Sequence, residues 1–407
     1  MAHISPSQLG QVPSLPKAAI FTLALLTAVG PLAIDMYLAA LPDITAELKT
    51  TESLTQLTLS AFMVGMALGQ LIIGPLSDKV GRIRPLYLGV IFSWISAVAC
   101  IFAPTISFLI AARCLMGIAG ATGLVLARAI VADSTQGKHT AKLMGLLMMI
   151  NGFAPVLAPV LGGLMLSLGS WRLVFVLLTV FMTLSLVLTF CTLQESLPEE
   201  KRRKGPLLAS YRGIPEVLAL ARFRGFMLTS NLAFAAFFAY ISGSSYLLQN
   251  VLGLTTRQFT LVFAFNSLGI VAMTSLVTYL VGRVALRSML TIGVFCLLLV
   301  STLLTIHFMV GPSLVPTLIL LLATTTSAGL IFSNASSLAL IEGRQKAGAA
   351  SAIMGTLQSV MAAIASPLAT IAGSHNPIPL ALTMLGFSAL SALALVKTPH
   401  QAEDWKP

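Results

Sequence analysis

The sequence predicts an all-α integral membrane protein of twelve transmembrane helices in two pseudo-symmetric halves of six. Three observations carry this. Of the 407 residues, 57% are hydrophobic and only 9% charged, whereas a soluble globular domain has about 25% charged residues. Apolar stretches of roughly 20 residues, the length a helix needs to cross a bilayer, occur twelve times along the chain. One long polar segment separates six of them from the other six.

In chain order the spans are residues 18–42, 54–77, 86–103, 106–131, 140–168, 171–192, 223–250, 257–281, 288–309, 314–340, 347–372 and 378–396. Lipid leaves no partner for free backbone groups, so each span must be helical. Those longer than the minimum accommodate tilt. The polar segment from Gln194 to Arg224 carries Pro, Gly and seven basic residues. It defines a first half, 1–193, a linker, 194–222, and a second half, 223–407. Internal similarity agrees with a duplicated bundle. Val80-Gly81-Arg82-Ile83-Arg84 follows the second span, and Val281-Gly282-Arg283-Val284 with Arg287 follows the eighth. Two repeats facing each other across a cavity form an architecture that transporters use.

An even number of spans places both termini on one side, and the basic residues indicate which side that is. With the N-terminus cytoplasmic, the inner segments hold Lys17, Lys79, Arg82, Arg84, Lys138, Lys142, Lys201 to Lys204, Arg212, Arg222, Arg224, Arg283, Arg287, Arg344, Lys346, Lys397 and Lys406. The other side has Lys49, Arg172 and Arg257. The net charge of +11 is thereby assigned to short loops beside the bilayer. A nucleic-acid binder would need a basic soluble surface with interleaved aromatics, and the chain has none, so no nucleic-acid partner is expected.

Cys100, Cys114, Cys191 and Cys296 lie in or at the end of apolar spans without a CxxC pair, which fits small hydrophobes in a bundle. His3, His139, His307, His375 and His400 are scattered beyond metal-ligand spacing. Neither a metal nor another cofactor is expected, and no embedded catalytic cluster suggests an enzyme. The first apolar run is long enough to span and a second follows it, so it reads as a helix rather than a cleaved leader.

Asp35 is the one acid inside a long apolar span. A carboxylate in hydrocarbon costs about 2.5–3.5 kcal/mol on insertion scales, so an embedded acid reads first as a functional group handling protons or cations. Counted back from Pro42 at 1.5 Å per residue, it lies roughly 10 Å inside the outer surface. Arg113, counted from the start of the fourth span, lies at a similar depth. The two could titrate against each other through a cavity, Arg113 lowering and desolvation raising the Asp35 pKa, or form a static ion pair. Asp78 and Arg82 are spaced to pair at the inner end of the second span, with Gly74 and Gly81 permitting a tight turn. Pro155 and Pro159 remove backbone donors in the fifth span, while Gly162 and Gly163 allow close packing. In the second half the embedded polar residues are neutral. Asn231, Phe234 and Phe238 make a polar and aromatic stripe at helical spacing, suited either to packing or, with Tyr37, Asn266, Asn334 and Gln358, to an apolar cavity with few polar anchors. Gly117, Gly120 and Gly123 follow no strand and read as packing residues rather than a dinucleotide loop.

Four of these segments carry a family resemblance. Gly74-Pro75-Leu76-Ser77-Asp78-Lys79-Val80-Gly81-Arg82 resembles the loop signature of the major facilitator superfamily. Leu109 to Gly120 resembles its Arg-bearing fourth-span motif, and Ala154 to Gly163 its fifth-span antiporter motif. Ile34-Asp35-Met36-Tyr37-Leu38 with Leu41-Pro42 is similar to the first-span signature of the bicyclomycin and chloramphenicol resistance branch (Bcr/CflA). The resemblance implies the major facilitator fold and proton-coupled efflux of amphipathic drugs across the bacterial cytoplasmic membrane. It implies Asp35 and Arg113 as proton-coupling residues, and the Gly74–Arg82 loop as a latch holding the halves in the outward-facing state. A monomer is expected, with drug, protons and bilayer as its partners. The alternative keeps the fold but exports a natural metabolite such as a sugar or amino acid.

Overall fold

A computed structural model describes residues 15–205, 211, 213–373 and 375–401. Linker residues 206–210 and 212, and the terminal His3 and Lys406, lie outside the described residues. The long helices are α1 (Lys17–Leu38), α2 (Glu52–Val80), α3 (Ile83–Ile101), α4 (Ile106–Ser134), α5 (Gly137–Leu168), α6 (Arg172–Thr192), α7 (Ala221–Ser245), α8 (Thr256–Leu280), α9 (Leu286–Val310), α10 (Leu314–Glu342), α11 (Ala347–Leu368) and α12 (Ile378–Val396). Among the described residues, eleven of these qualify as membrane spans by length and hydropathy, and α5 contributes the shorter apolar segment Phe153–Leu168. Threonines start several of them: the Thr51, Thr105 and Thr255 hydroxyls accept hydrogen bonds from the backbone N–H three residues on, which satisfies one orphan donor at each N-terminus.

The packing repeats with an offset of six helices. In the first half α2 packs on α4, α1 on α5, and α3 on α6; in the second, α8 packs on α10, α7 on α11, and α9 on α12. Between the halves, α2 meets α11 and α5 meets α8. Small residues make the close crossings. A Cβ on Gly65 would collide with the Cys114 carbonyl, and one on Gly117 with that of Phe62, so Gly117 acts as a packing residue between α2 and α4.

The first span departs from the sequence expectation. Rather than running to Pro42, α1 ends at Leu38, and Pro42 opens a separate short helix, Leu41–Glu47, because proline is well placed in a first helical turn but not in an interior. Asp35 therefore lies three residues from the C-terminal end of its helix, about 4.5 Å of rise, with the short helix continuing beyond it. Asp35 is nevertheless buried, and the short helix that follows is itself packed in, with Leu41 and Ile44 fully covered. Glu47 anchors that helix by accepting from Trp171 Nε1 at 2.8 Å and pairing with Arg172. The seventh span keeps its expected extent, running from Ala221 to Val251, but its last turn, Tyr246–Val251, is π-helical.

The halves close on the face opposite the termini. Gln56 Nε2 donates to the Ser242 carbonyl at 2.9 Å, Thr45 and Tyr246 share a hydroxyl hydrogen bond at 2.9 Å, and Ser53 donates to the Thr370 carbonyl at 3.3 Å. On the basic face a cavity of about 760 Å³ separates Gly74, Asp78 and Arg82 from Lys346 and Ala349. The protein is closed on one side and open on the other.

Candidate functional site

Asp35 is 4% exposed, and among the described residues its carboxylate makes no ion pair or side-chain hydrogen bond. Its electrostatic neighbour is Tyr240 of α7. Tyr240 is buried, stacks on Phe263 at 6.0 Å between ring centroids, and accepts a 3.0 Å hydrogen bond from Asn266 Nδ2. The embedded acid of the first half thus lies within electrostatic reach of a phenol of the second, which is itself hydrogen-bonded to an amide. Tyr240 was not legible as a site residue, since it lies two positions beyond Phe238 and breaks the stripe spacing.

Arg113 points elsewhere. Its Nη1 donates to the Ala33 carbonyl at 2.9 Å, and its guanidinium lies 4.6 Å from the ring centroids of both Tyr37 and Phe62. The expected depth holds, because Ala33 is two residues from Asp35. Two residues on a helix are about 200° apart, however, so acid and base occupy different sides of α1 and do not pair in this state. Nε and Nη2 of Arg113 are buried with no partner among the described residues, and the aromatic faces supply the compensation that cation–π contacts give a desolvated guanidinium. Tyr37 belongs to this cage. It bonds Thr58 at 2.8 Å and packs on Phe175 at 5.4 Å.

The fifth-span glycines set the position of Asp35. A Cβ on Gly162 would collide with the Met36 carbonyl, and one on Gly163 with the Thr260 hydroxyl. Helix α5, with Pro155 and Pro159 in its interior, is thereby wedged between α1, beside the acid, and α8 of the other half. The second-half residues divide. Phe234 clusters with Phe237, Phe238 and Phe332 at centroid distances of 5.5–6.3 Å. Asn231 and Asn334 turn their amides onto their own helices, at Met227 and Leu330, and Asn334 Oδ1 is left buried without a partner among the described residues. Gln358 is half-buried.

At the basic face Arg82 pairs with Asp78, as the spacing predicts, and also with Asp133 of α4 at 2.8 Å. Burial works against the Arg82 charge, but its hydrogen bonds and attraction to Asp133 and Asp78 more than offset this and raise its pKa. The loop is further held by Glu195, just beyond α6, which accepts from the backbone N–H of Arg82 at 2.9 Å and of Ile83 at 3.3 Å. The Arg203 N–H reaches the Asp78 carbonyl at 2.8 Å. A related clamp recurs in the second half, where the segment after α12 supplies the Thr398 and Pro399 carbonyls to Arg287 at 2.8 Å. The Asp78–Arg82 pair and the turn at Gly81 were legible in the sequence, but Gly74 sits inside α2 with open space at its Cβ position rather than in a turn, and Asp133 and Glu195 were not legible, lying 51 and 113 residues away from Arg82.

Burial raises the Glu195 pKa, while the N–H donors of Arg82, Leu197 and Ile83 and the charge of Arg202 lower it by more, leaving it below the usual range. A depressed carboxylate pKa contributes stability that is complete above the unfolded value and lost as pH falls through the folded one. Amide exchange at Arg82 and Ile83 should therefore stay slow through pH ~4.3, the ordinary glutamate value, and accelerate only below it. Glu195→Gln should speed that exchange at neutral pH by about tenfold, the scale of one charge-assisted hydrogen bond. Loss of protection at the ordinary glutamate pKa would refute the clamp.

Comparison with known proteins places this geometry. The Major Facilitator Superfamily model matches residues 23–366. The chain is 33% identical over 379 residues to the uncharacterized MFS-type transporter YdgK of Bacillus subtilis (strain 168), covering 93% of this chain and 94% of that one. It is 27% identical over 385 residues to a bicyclomycin resistance protein homolog of Haemophilus influenzae, covering 92% and 94%. Multidrug resistance protein D of Escherichia coli (strain K12) is also 27% identical, over 378 residues, covering 90% and 92%. Among solved structures, a D-xylose-proton symporter aligns with a TM-score of 0.72 at 16% identity, over 96% of this chain and 99% of that one, a likeness of fold. The chain is a multi-pass membrane transporter that belongs to the Major Facilitator Superfamily, in the branch of its bicyclomycin- and multidrug-resistance relatives.

Proposed function

We propose that the protein exports amphipathic drugs from the bacterial cytoplasm in exchange for inward-moving protons, by alternating access of two six-helix halves, 1–193 and 223–407, about the 194–222 linker. The observation that carries this reading is the carboxylate of Asp35, buried and without an ion pair among the described residues, within electrostatic reach of Tyr240 of the other half. Loaded with a proton, the carboxyl is neutral and tolerates the closed, dry junction. When it is charged, the Tyr240 hydroxyl and the Arg113 guanidinium are the groups able to compensate it. Arg113 is held one helix face away by Ala33 and its aromatic cage, and acts as the modulator. Phe234, Phe238 and the free Asn334 Oδ1 suit an apolar cavity with sparse polar anchors. The Asp78–Arg82 loop is satisfied by its own half and the linker here, and latches onto the second half when the basic face closes.

The protein acts as a monomer in the cytoplasmic membrane with both termini inside, the orientation that places the basic residues in the cytoplasm. Cysteines support a direct check. A cysteine at exposed Glu200 should react in intact cells only with membrane-permeant thiol reagents, and one at exposed Lys49 with impermeant reagents as well. The reversed pattern would overturn the direction of transport.

The coupling itself is tested in proteoliposomes: an imposed drug gradient should drive proton movement. A response to sugars or amino acids alone would favour the metabolite exporter, and no flux with either class would refute antiport.

A further inference from the structure

On the face opposite the termini, α5 and α8 approach so closely that Gly163 has no room for a side chain beside Thr260. Just outside that crossing is a groove of about 530 Å³, lined among others by Asp43 of the short helix, Val160, Leu164 and Ser167 of α5, and Arg257 and Leu261 of α8. Its apolar wall faces outward: Val160 is 45% exposed, Leu164 53% and Leu261 60%. In a spanning protein such a wall faces acyl chains. The rim carries one carboxylate and one guanidinium, both exposed, and among the described residues Asp43 and Arg257 form no ion pair with each other or with a third group. Arg172 on the same face, by contrast, is paired with Glu47.

A groove that offers separate poles of opposite charge above an apolar wall complements a ligand with the same three parts. We propose that it binds a zwitterionic phospholipid bearing a primary amine, with the ammonium on Asp43, the phosphate on Arg257 and the acyl chains along Val160, Leu164 and Leu261. A primary ammonium donates hydrogen bonds to a carboxylate, whereas a trimethylated one has none to give. A guanidinium engages phosphate with two parallel donors. An anionic lipid without an amine would leave Asp43 uncompensated. The groove is built from both halves and exists because α5 and α8 meet on this face, so a lipid seated there favours the arrangement closed on that side over one in which the two helices part.

Native mass spectrometry of the full chain, equilibrated with equimolar phosphatidylethanolamine, phosphatidylcholine and phosphatidylglycerol, tests the assignment. Phosphatidylethanolamine should be retained about tenfold over the other two, the worth of one charge-assisted hydrogen-bonded contact. Asp43→Asn should reduce it to the phosphatidylcholine level, and Arg257→Gln should lower both. Lys49→Gln, which removes an exposed charge on the same face, should change nothing. Thermal unfolding provides a second readout that does not depend on adduct survival: added phosphatidylethanolamine should raise Tm for the parent protein and not for Asp43→Asn. Equal retention of the three lipids, a preference for phosphatidylglycerol, or a phosphatidylethanolamine preference unchanged in both groove variants would overturn the proposal.

Discussion

Replacing Asp35 with Asn should abolish drug-driven proton movement while leaving the protein folded and in the membrane. The amide matches the carboxyl in size and stays neutral, so the buried site survives. It cannot bind and release a proton, so the exchange loses its coupling ion. Asp35→Glu keeps the chemistry but displaces the carboxyl by one methylene, and should retain reduced coupled export. The check is drug-dependent proton flux together with surface abundance. Full flux by the Asn variant at normal abundance would remove Asp35 from the mechanism. Tyr240→Phe removes the hydroxyl but keeps the stack on Phe263, and should shift the pH dependence of transport rather than eliminate it.

The second large effect is expected at Gly162. Valine there would drive its Cβ and two methyls into the Met36 carbonyl, forcing α1 away from α5 next to the proton-binding residue. Overpacking of this kind costs about 1–3 kcal/mol, and the displaced α1 would misplace Asp35 against α7. Transport should fall to background with a lower unfolding temperature, and Gly162→Ala should give a milder form of both. At Gly145, on the same helix, a Cβ would stand in open space with no heavy atom within 4 Å, so Gly145→Ala should leave transport and stability unchanged. Equal tolerance at the two positions would show that α5 does not position Asp35 by contact with α1.

The residues that were legible in the sequence are those whose role depends on hydrophobic run length or local spacing. Twelve apolar runs become twelve helices because lipid enforces helical hydrogen bonding on each, and the Asp78–Arg82 pair forms at four-residue spacing. The Leu41–Glu47 helix was hidden because its apolar residues merge with the end of the first run, and only the proline marks the break. The facing of Arg113 was hidden for a different reason. Counting along a helix gives depth, but rotation about the helix axis is set by neighbours, here the rings of Tyr37 and Phe62. Asp133, at the end of α4, and Glu195, in the segment after α6, escaped notice because each lies in an ordinary polar stretch, and its partner comes from a distant turn that only the fold brings near.

If Asp35 is the only proton carrier, one proton enters for each drug exported. The net inward charge per cycle is then one minus the drug's charge. A neutral drug should draw on both the pH gradient and the membrane potential. A monovalent cation should leave electroneutrally. A divalent cation should work against an inside-negative potential at roughly 2.3 kcal/mol per 100 mV. The most direct measurement is transport in vesicles at a fixed pH gradient with the potential set by valinomycin. Export of a neutral drug should rise with inside-negative potential, while export of a monovalent cation should not respond to it. Potential-driven export of the monovalent cation would contradict the single-carrier account by requiring a second proton site.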